Sequence, residues 1–180
     1  MFKPLYLGTN HMLGQNAYVP VMEYNFEIRI YNMDGTTPAE FADVLTLSTK
    51  EINEISESQD VITVHYGNGV IKFPGKVDYS DVSWTLNCFT SPNSLQSLRD
   101  WRNQCYNAQT EVMGKPSEYM KQVYFIKYAG DGQVLDVIKC PGTWIKDLSN
   151  GAMNQEGGLV QLSVTFVISK AIYLKPEEFQ

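Results

Sequence analysis

The side chains that most often carry chemistry in proteins are sparse in this sequence. It holds two histidines, His11 and His65. His65 alternates with Thr63 along a segment with strand character, a pattern that favours a solvated side chain over a catalytic base. No HxxxH, CxxC, GxSxG or Walker spacing is present. Because catalysis needs a nucleophile, base or metal set together in a pocket, the sequence predicts that the protein is not an enzyme.

The cysteines, glutamates and glycines likewise predict no metal site and no cofactor. Cys88, Cys105 and Cys140 are odd in number and too widely spaced for a zinc or redox motif. We interpret them as small buried residues in a reducing compartment, with a disulfide to a neighbouring chain as the alternative. The glutamates of Ser48–Asp60 belong to a charged, solvated segment. Gly67–Gly69 lies between two predicted strands, so it serves a turn rather than a phosphate-binding loop.

Charge and composition exclude further function classes. The 180 residues fit one domain, and a hydrophobic content of 43% is that of a folded protein. The formal net charge is −6 and the lysines are scattered singly, so the chain should repel nucleic acid and anionic membranes. No run of about 18 apolar residues is present, and the sequence therefore predicts no membrane insertion.

The segment Leu159–Ser169 has the clearest structural pattern of the chain. Apolar and polar side chains alternate, with Val167 as the exception, and this predicts a strand of roughly 35 Å with one dry face and one wet face. The apolar side is Val160, Leu162, Val164, Phe166 and Ile168. The polar side is Gln161, Ser163, Thr165 and Ser169. A strand this long with a small, uncharged polar face suggests part of a wall that encloses a space.

Further elements complete a mainly β domain. One helix is predicted after Ser91 as N-cap, with Pro92 at its first position. Two packed antiparallel sheets, forming a sandwich or barrel with this helix against them, are the predicted fold class. The other predicted strands are Tyr24–Tyr31, Phe41–Leu47, Val61–Tyr66, Val70–Phe73, Val82–Phe89, Gln122–Tyr128 and Val134–Cys140, the last ended by Pro141-Gly142. The predicted core residues are Trp84, Leu86, Leu95, Leu98, Trp101, Val164 and Phe166.

Three regions are expected to be irregular. Met1–Pro20 has no sustained period and would be ordered only against a surface, such as that of a neighbouring subunit. Ser48–Asp60 and Gln109–Met120 are expected to be long exposed loops that contact other subunits. The predicted organisation is an N-terminal arm over 1–23, a β-sandwich domain over 24–173 and a C-terminal tail over 174–180.

Several segments, taken in order, resemble the tail tube proteins of contractile-tailed bacteriophages. The resemblance covers most of Tyr24–Lys170 and leaves out the N-terminal arm. It rests on the order and spacing of the segments TVHYGNGVIKFPG, DYSDVSWTLNCF, SPNSLQSLRDWRNQ, VLDVIKCPGTWIKDL and GLVQLSVTFVIS.

The resemblance implies hexameric rings that stack into a hollow tube inside a contractile sheath. If each subunit lends about four strands, a ring closes into roughly two dozen, and barrels of sixteen or more already leave a channel. The implied partners are further copies of the chain, the sheath, baseplate, tail-terminator and tape-measure proteins, and DNA that passes without specific binding. The implied location is the virion tail, assembled in the bacterial cytoplasm. The side chains expected to face the lumen are Gln161, Ser163, Thr165, Ser169, Thr63 and His65.

Two alternatives remain open at this stage. The second interpretation, after the phage tail tube, is the inner tube of a phage-derived contractile injection or type VI secretion system, which sequence alone does not cleanly separate from a phage tail. A monomeric β-barrel that binds a small ligand is the third interpretation, and it requires an apolar interior pocket.

Overall fold

The fold is mainly β and antiparallel, as predicted. The computed structural model describes residues 23–53, 55–151 and 158–178, so nearly all of the predicted arm lies outside the described residues. The strands are β1 (Phe26–Tyr31), β2 (Thr49–Ile52), β3 (Glu57–Tyr66), β4 (Gly69–Tyr79), β5 (Val82–Asn87), β6 (Tyr106–Asn107), β7 (Val112–Met113), β8 (Lys121–Tyr128), β9 (Val134–Leu148), β10 (Gln161–Val167) and β11 (Ile172–Leu174). The helices are α1 (Ala42–Ser48), α2 (Ser94–Cys105) and α3 (Pro116–Tyr119), followed by a 3₁₀ turn at Pro176–Glu178.

The seven main strands form one curved, open series. Their order is β1-β8-β9-β10-β5-β2, and β11 pairs with β9. β9 pairs with β8 and β11 near its start and with β10 near its end, so it belongs to both halves of the series. Side chains from both halves share one buried cluster. The sheet reaches Leu174, one residue past the predicted domain boundary.

Pro141 and Gly142 do not end β9, contrary to the prediction. The strand continues through them to Leu148, and the pairing of β8 with β9 shifts register beside them. Gly142 has φ +74°, a conformation that side chains disfavour. The Pro-Gly pair is therefore a bulge at which β9 passes from one half of the sheet to the other.

A chain of aromatic rings fills the middle of the core. The Trp101 and Phe41 rings stack with centroids 5.2 Å apart, and Trp101 also lies 5.3 Å from Phe166. Phe166 lies 5.0 Å from Trp84, whose Nε1 donates to Thr49 Oγ1 at 3.1 Å. The interior between the sheet and the helices is thus filled by side chains.

Helix α2 packs on this core through Leu95, Leu98 and Trp101, which were predicted as core residues, but it begins later than expected. Its N-cap is Asn93, whose Oδ1 accepts a hydrogen bond from Gln96 N at 3.1 Å, so the assignment of Ser91 as cap is wrong. Asn caps as well as Ser, and the chain reaches helical geometry only at Ser94. Trp101 Nε1 then donates to the Tyr119 carbonyl at 2.8 Å, which ties α2 to α3.

The segment Phe41–Leu47, predicted as a strand, is helical as α1. Burial of Phe41, Ala42, Leu45 and Ser48 follows the helical period, while Leu47 is 78% exposed. Its length of seven residues makes this period hard to distinguish from a strand. Thr46 Oγ1, which also projects from α1, donates to the Ile28 carbonyl at 2.6 Å and so covers part of the outer edge of β1.

The two predicted long loops also contain regular structure. Ser48–Asp60 is mostly exposed, as expected, but contributes β2 and the first residues of β3. Gln109–Met120 contains β7 and α3. The sequences of both segments are polar, and they lack the apolar alternation that predicts a strand. The short strands β2 and β7 are largely exposed, so they do not need such alternation.

The predicted hairpin around Gly67–Gly69 is confirmed and is longer than expected. β3 and β4 pair from Glu57↔Tyr79 to Tyr66↔Gly69, and Gly67 adopts φ +58° in the turn. The strands have 10 and 11 residues, and all of β3 is exposed. The hairpin therefore projects from the body of the domain.

Candidate functional site

A continuous polar surface lies on the outer side of β5 and β10. The two strands pair with Ser163 opposite Thr85, Gln161 opposite Asn87 and Thr165 opposite Ser83. Because directly opposed residues share a face, these six short uncharged side chains form one patch. We call this patch the polar wall: Ser83, Thr85, Asn87, Gln161, Ser163 and Thr165.

The opposite side of the same two strands fixes the wall in place. The side chains that alternate with the wall are fully buried, so a shift of register by one residue would exchange the dry and wet faces. These buried residues are Val82, Trp84, Leu86, Leu162, Val164 and Phe166, each 0% exposed. The wall is therefore a rigid surface.

The wall is bordered by acidic residues and by a neutralised lysine. Glu51 of β2 lies opposite Thr85, and Asp147 of β9 lies opposite Thr165. Lys146 Nζ forms an ion pair with Asp81 Oδ2 at 2.8 Å, and this hydrogen bond raises the pKa of Lys146. The surface thus offers hydrogen-bonding groups and some negative charge beside them.

The structure brings only part of the predicted lumen set together. Gln161, Ser163 and Thr165 lie on the polar wall, whereas Ser169 lies past the end of β10, where its Oγ donates to the Gly142 carbonyl at 3.0 Å. Thr63 and His65 are exposed on β3, away from β10. Of the seven predicted core residues, Leu95 is partly buried and the others are at most 1% exposed: Trp84, Leu86, Leu98, Trp101, Val164 and Phe166.

Sequence reasoning missed a second surface, on the projecting hairpin. Register places Ile62 opposite Phe73 and Val64 opposite Ile71, next to Tyr66 on the same face. We call these five residues the hairpin apolar face; each is 45–78% exposed. The opposite face carries Thr63, His65 and Lys72 with Val61 and Val70. The alternation of VITVHY contained the signal for two faces, but a sequence alone does not show whether other residues cover either of them.

A charged cluster lies on the far side of the sheet, on β1 and β8. Arg29 Nε donates to Glu27 Oε1 at 2.8 Å, and Tyr128 Oη donates to Glu27 Oε2. The hydrogen bond from Arg29 is the main reason that the pKa of Glu27 lies below its ordinary value. Beneath this cluster, Ile126 and Val137 are buried by neighbouring aromatic rings. The cluster covers a small apolar patch and has no arrangement suited to proton transfer.

The described residues hold no grouping of metal ligands. No cluster of three or more His, Cys, Asp or Glu able to bind a metal occurs among them. The three cysteines are unpaired, and burial raises the pKa of the Cys140 thiol to about 12, which leaves it unreactive. In the same part of the chain, no helix has the length and apolar character needed to cross a membrane.

The interior also disfavours the ligand-binding interpretation. A monomeric binding barrel needs an internal apolar pocket. Here the interior is occupied by Trp84, Trp101, Phe166 and their neighbours. A groove between β1 and β2 in the described structure is open to solvent rather than enclosed.

Comparisons of sequence find no match among protein-family models or curated proteins. Comparison of structures finds several similar chains. The chain aligns with the tube-terminating cap of the anti-feeding prophage at TM-score 0.66 and 13% identity, over 88% of this chain and 93% of the cap. It aligns with a chain of the sheath–tube complex of PVC, an extracellular contractile injection system, at TM-score 0.63 and 14% identity, over 93% and 97%.

A further tail tube has a similar structure. The SPP1 tail tube aligns at TM-score 0.57 and 14% identity, over 86% of this chain and 78% of that one. The chain therefore has the fold shared by tail tube and tube-terminator proteins of phage tails and contractile injection systems. The resemblance drawn from its segments is confirmed at the level of the fold.

Proposed function

We propose that the protein is a structural tail tube subunit that polymerises as stacked hexameric rings into a conduit for phage DNA. It acts by assembly and performs no catalysis. The observation that carries the proposal is the polar wall, a rigid uncharged surface on a fold shared with tube proteins. Such a surface suits the lining of a channel, because barrels made of many strands enclose water.

The composition of the wall supports passage without binding. Each phosphate contact by a lysine releases counterions and strengthens DNA binding, so a lysine repeated in every subunit would hold the DNA at many points. Serine, threonine, asparagine and glutamine side chains offer no such attraction, and Glu51 and Asp147 beside them repel phosphate. DNA would slide along this surface.

The remaining partners follow from the proposed place in a tail. The chain would contact a sheath on its outside, and baseplate, terminator and tape-measure proteins at the ends and inside of the tube. The neighbouring structures include a baseplate and a sheath–tube complex, which supports association with such components. The protein would then reside in the virion tail after assembly in the bacterial cytoplasm.

A contractile injection system is the second candidate. The anti-feeding prophage and PVC structures that resemble the chain come from such systems, and they favour this candidate as much as the phage tail. The two candidates share the same subunit role and differ in the cargo that passes through the tube. Genes for a capsid and terminase beside the gene would identify a phage.

Negative-stain microscopy of the purified full chain tests the proposal. We expect rings or hollow rods, with a particle mass several times the 20.4 kDa of one chain. A monodisperse monomer over a wide range of concentration and salt would contradict it. Size-exclusion chromatography with light scattering on the same sample supplies the mass.

A further inference from the structure

We infer that Asp81 keeps the border of the polar wall from binding DNA by holding the ammonium of Lys146. This inference rests on the proposed function, since it concerns the surface past which DNA is proposed to move. It adds a specificity-determining residue to that surface. The carboxylate of Asp81 occupies the cation that a phosphate would otherwise contact.

A bulge in β9 brings Lys146 to the border of the wall. Asp147 pairs with Thr165 of the wall. The next residue of β10, Phe166, pairs with Ile145, and Lys146 is therefore the extra residue between the two pairs. Bulges of this kind change the direction of a side chain. Lys146 thus leaves the alternating pattern of β9 at the point where that strand meets the wall.

The ion pair of Lys146 with Asp81 crosses the outer side of β10. Lys146 belongs to β9, Asp81 directly precedes β5, and β10 lies between these two strands. Neighbouring strands are about 4.8 Å apart, so the pair spans roughly 10 Å. The inner side of β10 is closed by Phe166, which is 0% exposed. The side chains of Lys146 and Asp81 are instead 50% and 39% exposed, so the pair lies on the side of the sheet that carries the wall.

The two central strands of the wall supply no cation of their own. β5 and β10 have the sequences VSWTLN and QLSVTFV, without lysine or arginine. Lys50 of β2 lines the groove toward β1. Lys146 is thus the cation that the described structure places across the wall strands. In a tube it would recur in every subunit, so even a weak phosphate contact would be repeated many times.

Asp81 changes what this lysine offers to a passing polyanion. Lys146 Nζ donates to Asp81 Oδ2 at 2.8 Å. This hydrogen bond and the charge of Asp81 raise the pKa of Lys146, and the charge of Asp147 adds to the effect. The ammonium therefore stays charged but is matched by two carboxylates. A phosphate would have to displace Asp81 and approach both acidic groups. Exposed ion pairs stabilise a fold only slightly, so the main consequence of this pair is electrostatic.

Removing the carboxylate of Asp81 tests the inference without adding a cation. Tubes assembled from the full Asp81→Asn chain are mixed with short fluorescent DNA duplexes and sedimented, and the retained DNA is measured as salt is raised. We expect retention at low salt to rise at least about threefold over the wild type. The logarithm of the binding constant should also fall more steeply with the logarithm of salt, by about 0.9 for each phosphate contacted.

Matched variants separate the masking of Lys146 from a change of net charge. Asp147→Asn makes the same change of charge beside the wall but leaves Lys146 bound to Asp81, and it should raise retention less than about twofold. Asp81→Glu keeps a carboxylate and should behave as the wild type. Asp81→Asn combined with Lys146→Gln should lose the gain. Equal gains for Asp81→Asn and Asp147→Asn, or a gain that survives Lys146→Gln, would overturn the inference.

The location of the retained DNA separates this inference from the proposed function. Nuclease digests DNA on the outside of a tube and spares DNA in its channel. A gain in protected DNA supports both proposals. A gain in nuclease-sensitive DNA supports the masking by Asp81 but contradicts a wall that lines the channel. Hollow tubes of Asp81→Asn that retain no more DNA than wild-type tubes would overturn the inference and leave the tube proposal intact. If the variant assembles poorly, fluorescence anisotropy with unassembled chains makes the same comparison with Asp147→Asn.

Discussion

The polar wall and the projecting hairpin are built by the same local rule and differ in what covers them. Both are antiparallel pairs with alternating side chains, and β4 leads into β5 after only Ser80 and Asp81. On the wall, the inner residues are 0% exposed, whereas those of the hairpin apolar face are 45–78% exposed. The wall is therefore supported by described residues of its own chain, whereas the described residues leave the hairpin apolar face uncovered.

The largest expected effect on the folding of a single chain concerns the core behind the wall. Trp101→Ala removes a ring that stacks on Phe41 and contacts Phe166, and it leaves a cavity. We expect the unfolding free energy of the unassembled chain to fall by about 3–5 kcal/mol. Urea denaturation followed by circular dichroism measures this fall. A loss below about 1 kcal/mol would show that the wall is not supported from this side.

A smaller effect on folding is expected at the start of α2. Asn93→Ala removes the oxygen that accepts from Gln96 N and should cost about 1 kcal/mol. The matched control is Ser91→Ala, which the sequence nominates as cap and the structure does not. The same denaturation experiment should show almost no change for this control. A larger loss for Ser91→Ala than for Asn93→Ala would show that Ser91 caps the helix instead.

The charged cluster on β1 should make a pH-dependent contribution of about 1 kcal/mol or less, since it is partly exposed. The hydrogen bond from Arg29 lowers the pKa of Glu27 in the folded chain. The contribution is therefore present above the unfolded pKa and disappears as pH falls through the lower folded value. Measured by thermal melting between pH 7 and pH 3, the advantage of the wild type over Glu27→Gln should shrink on acidification. A constant difference would contradict the linkage.

The smallest effect on folding is expected at the hairpin, where the comparison is sharpest. Phe73→Ser removes a large apolar side chain that is 50% exposed in the single chain. We expect the unfolding free energy of unassembled protein to change by no more than about 0.5 kcal/mol, as for most surface positions. A loss as large as that of Trp101→Ala would mean that the hairpin is covered within its own chain.

The sequence predicts two kinds of strand correctly: those that pair with a strand close by in the chain, and those whose buried face is an unbroken series of apolar residues. Leu162, Val164 and Phe166 alternate without ambiguity, and the helix stripe of Leu98 and Trp101 has its own period. The path of β9 through Pro141 was not predictable, because the bulge depends on β8 and β10 on either side of it. Local turn chemistry suggested a stop where tertiary pairing continues the strand.

The candidate site was predicted in part for the same reason. The wet side of β10 was evident, but its enlargement by Thr85 and Asn87 depends on the pairing of β5 with β10. Thr63 and His65 have the same alternation as the wall residues and yet lie on the hairpin. A period of two assigns a residue to a face of a strand and does not say which strand lies beside it.

A cryo-EM map of the assembled protein tests the central claim most directly. We expect a hollow tube in which the polar wall, with Ser163 and Thr85 paired across β10 and β5, faces the central channel. A map that places these side chains on the outer surface, or an assembly without a channel, would contradict the account.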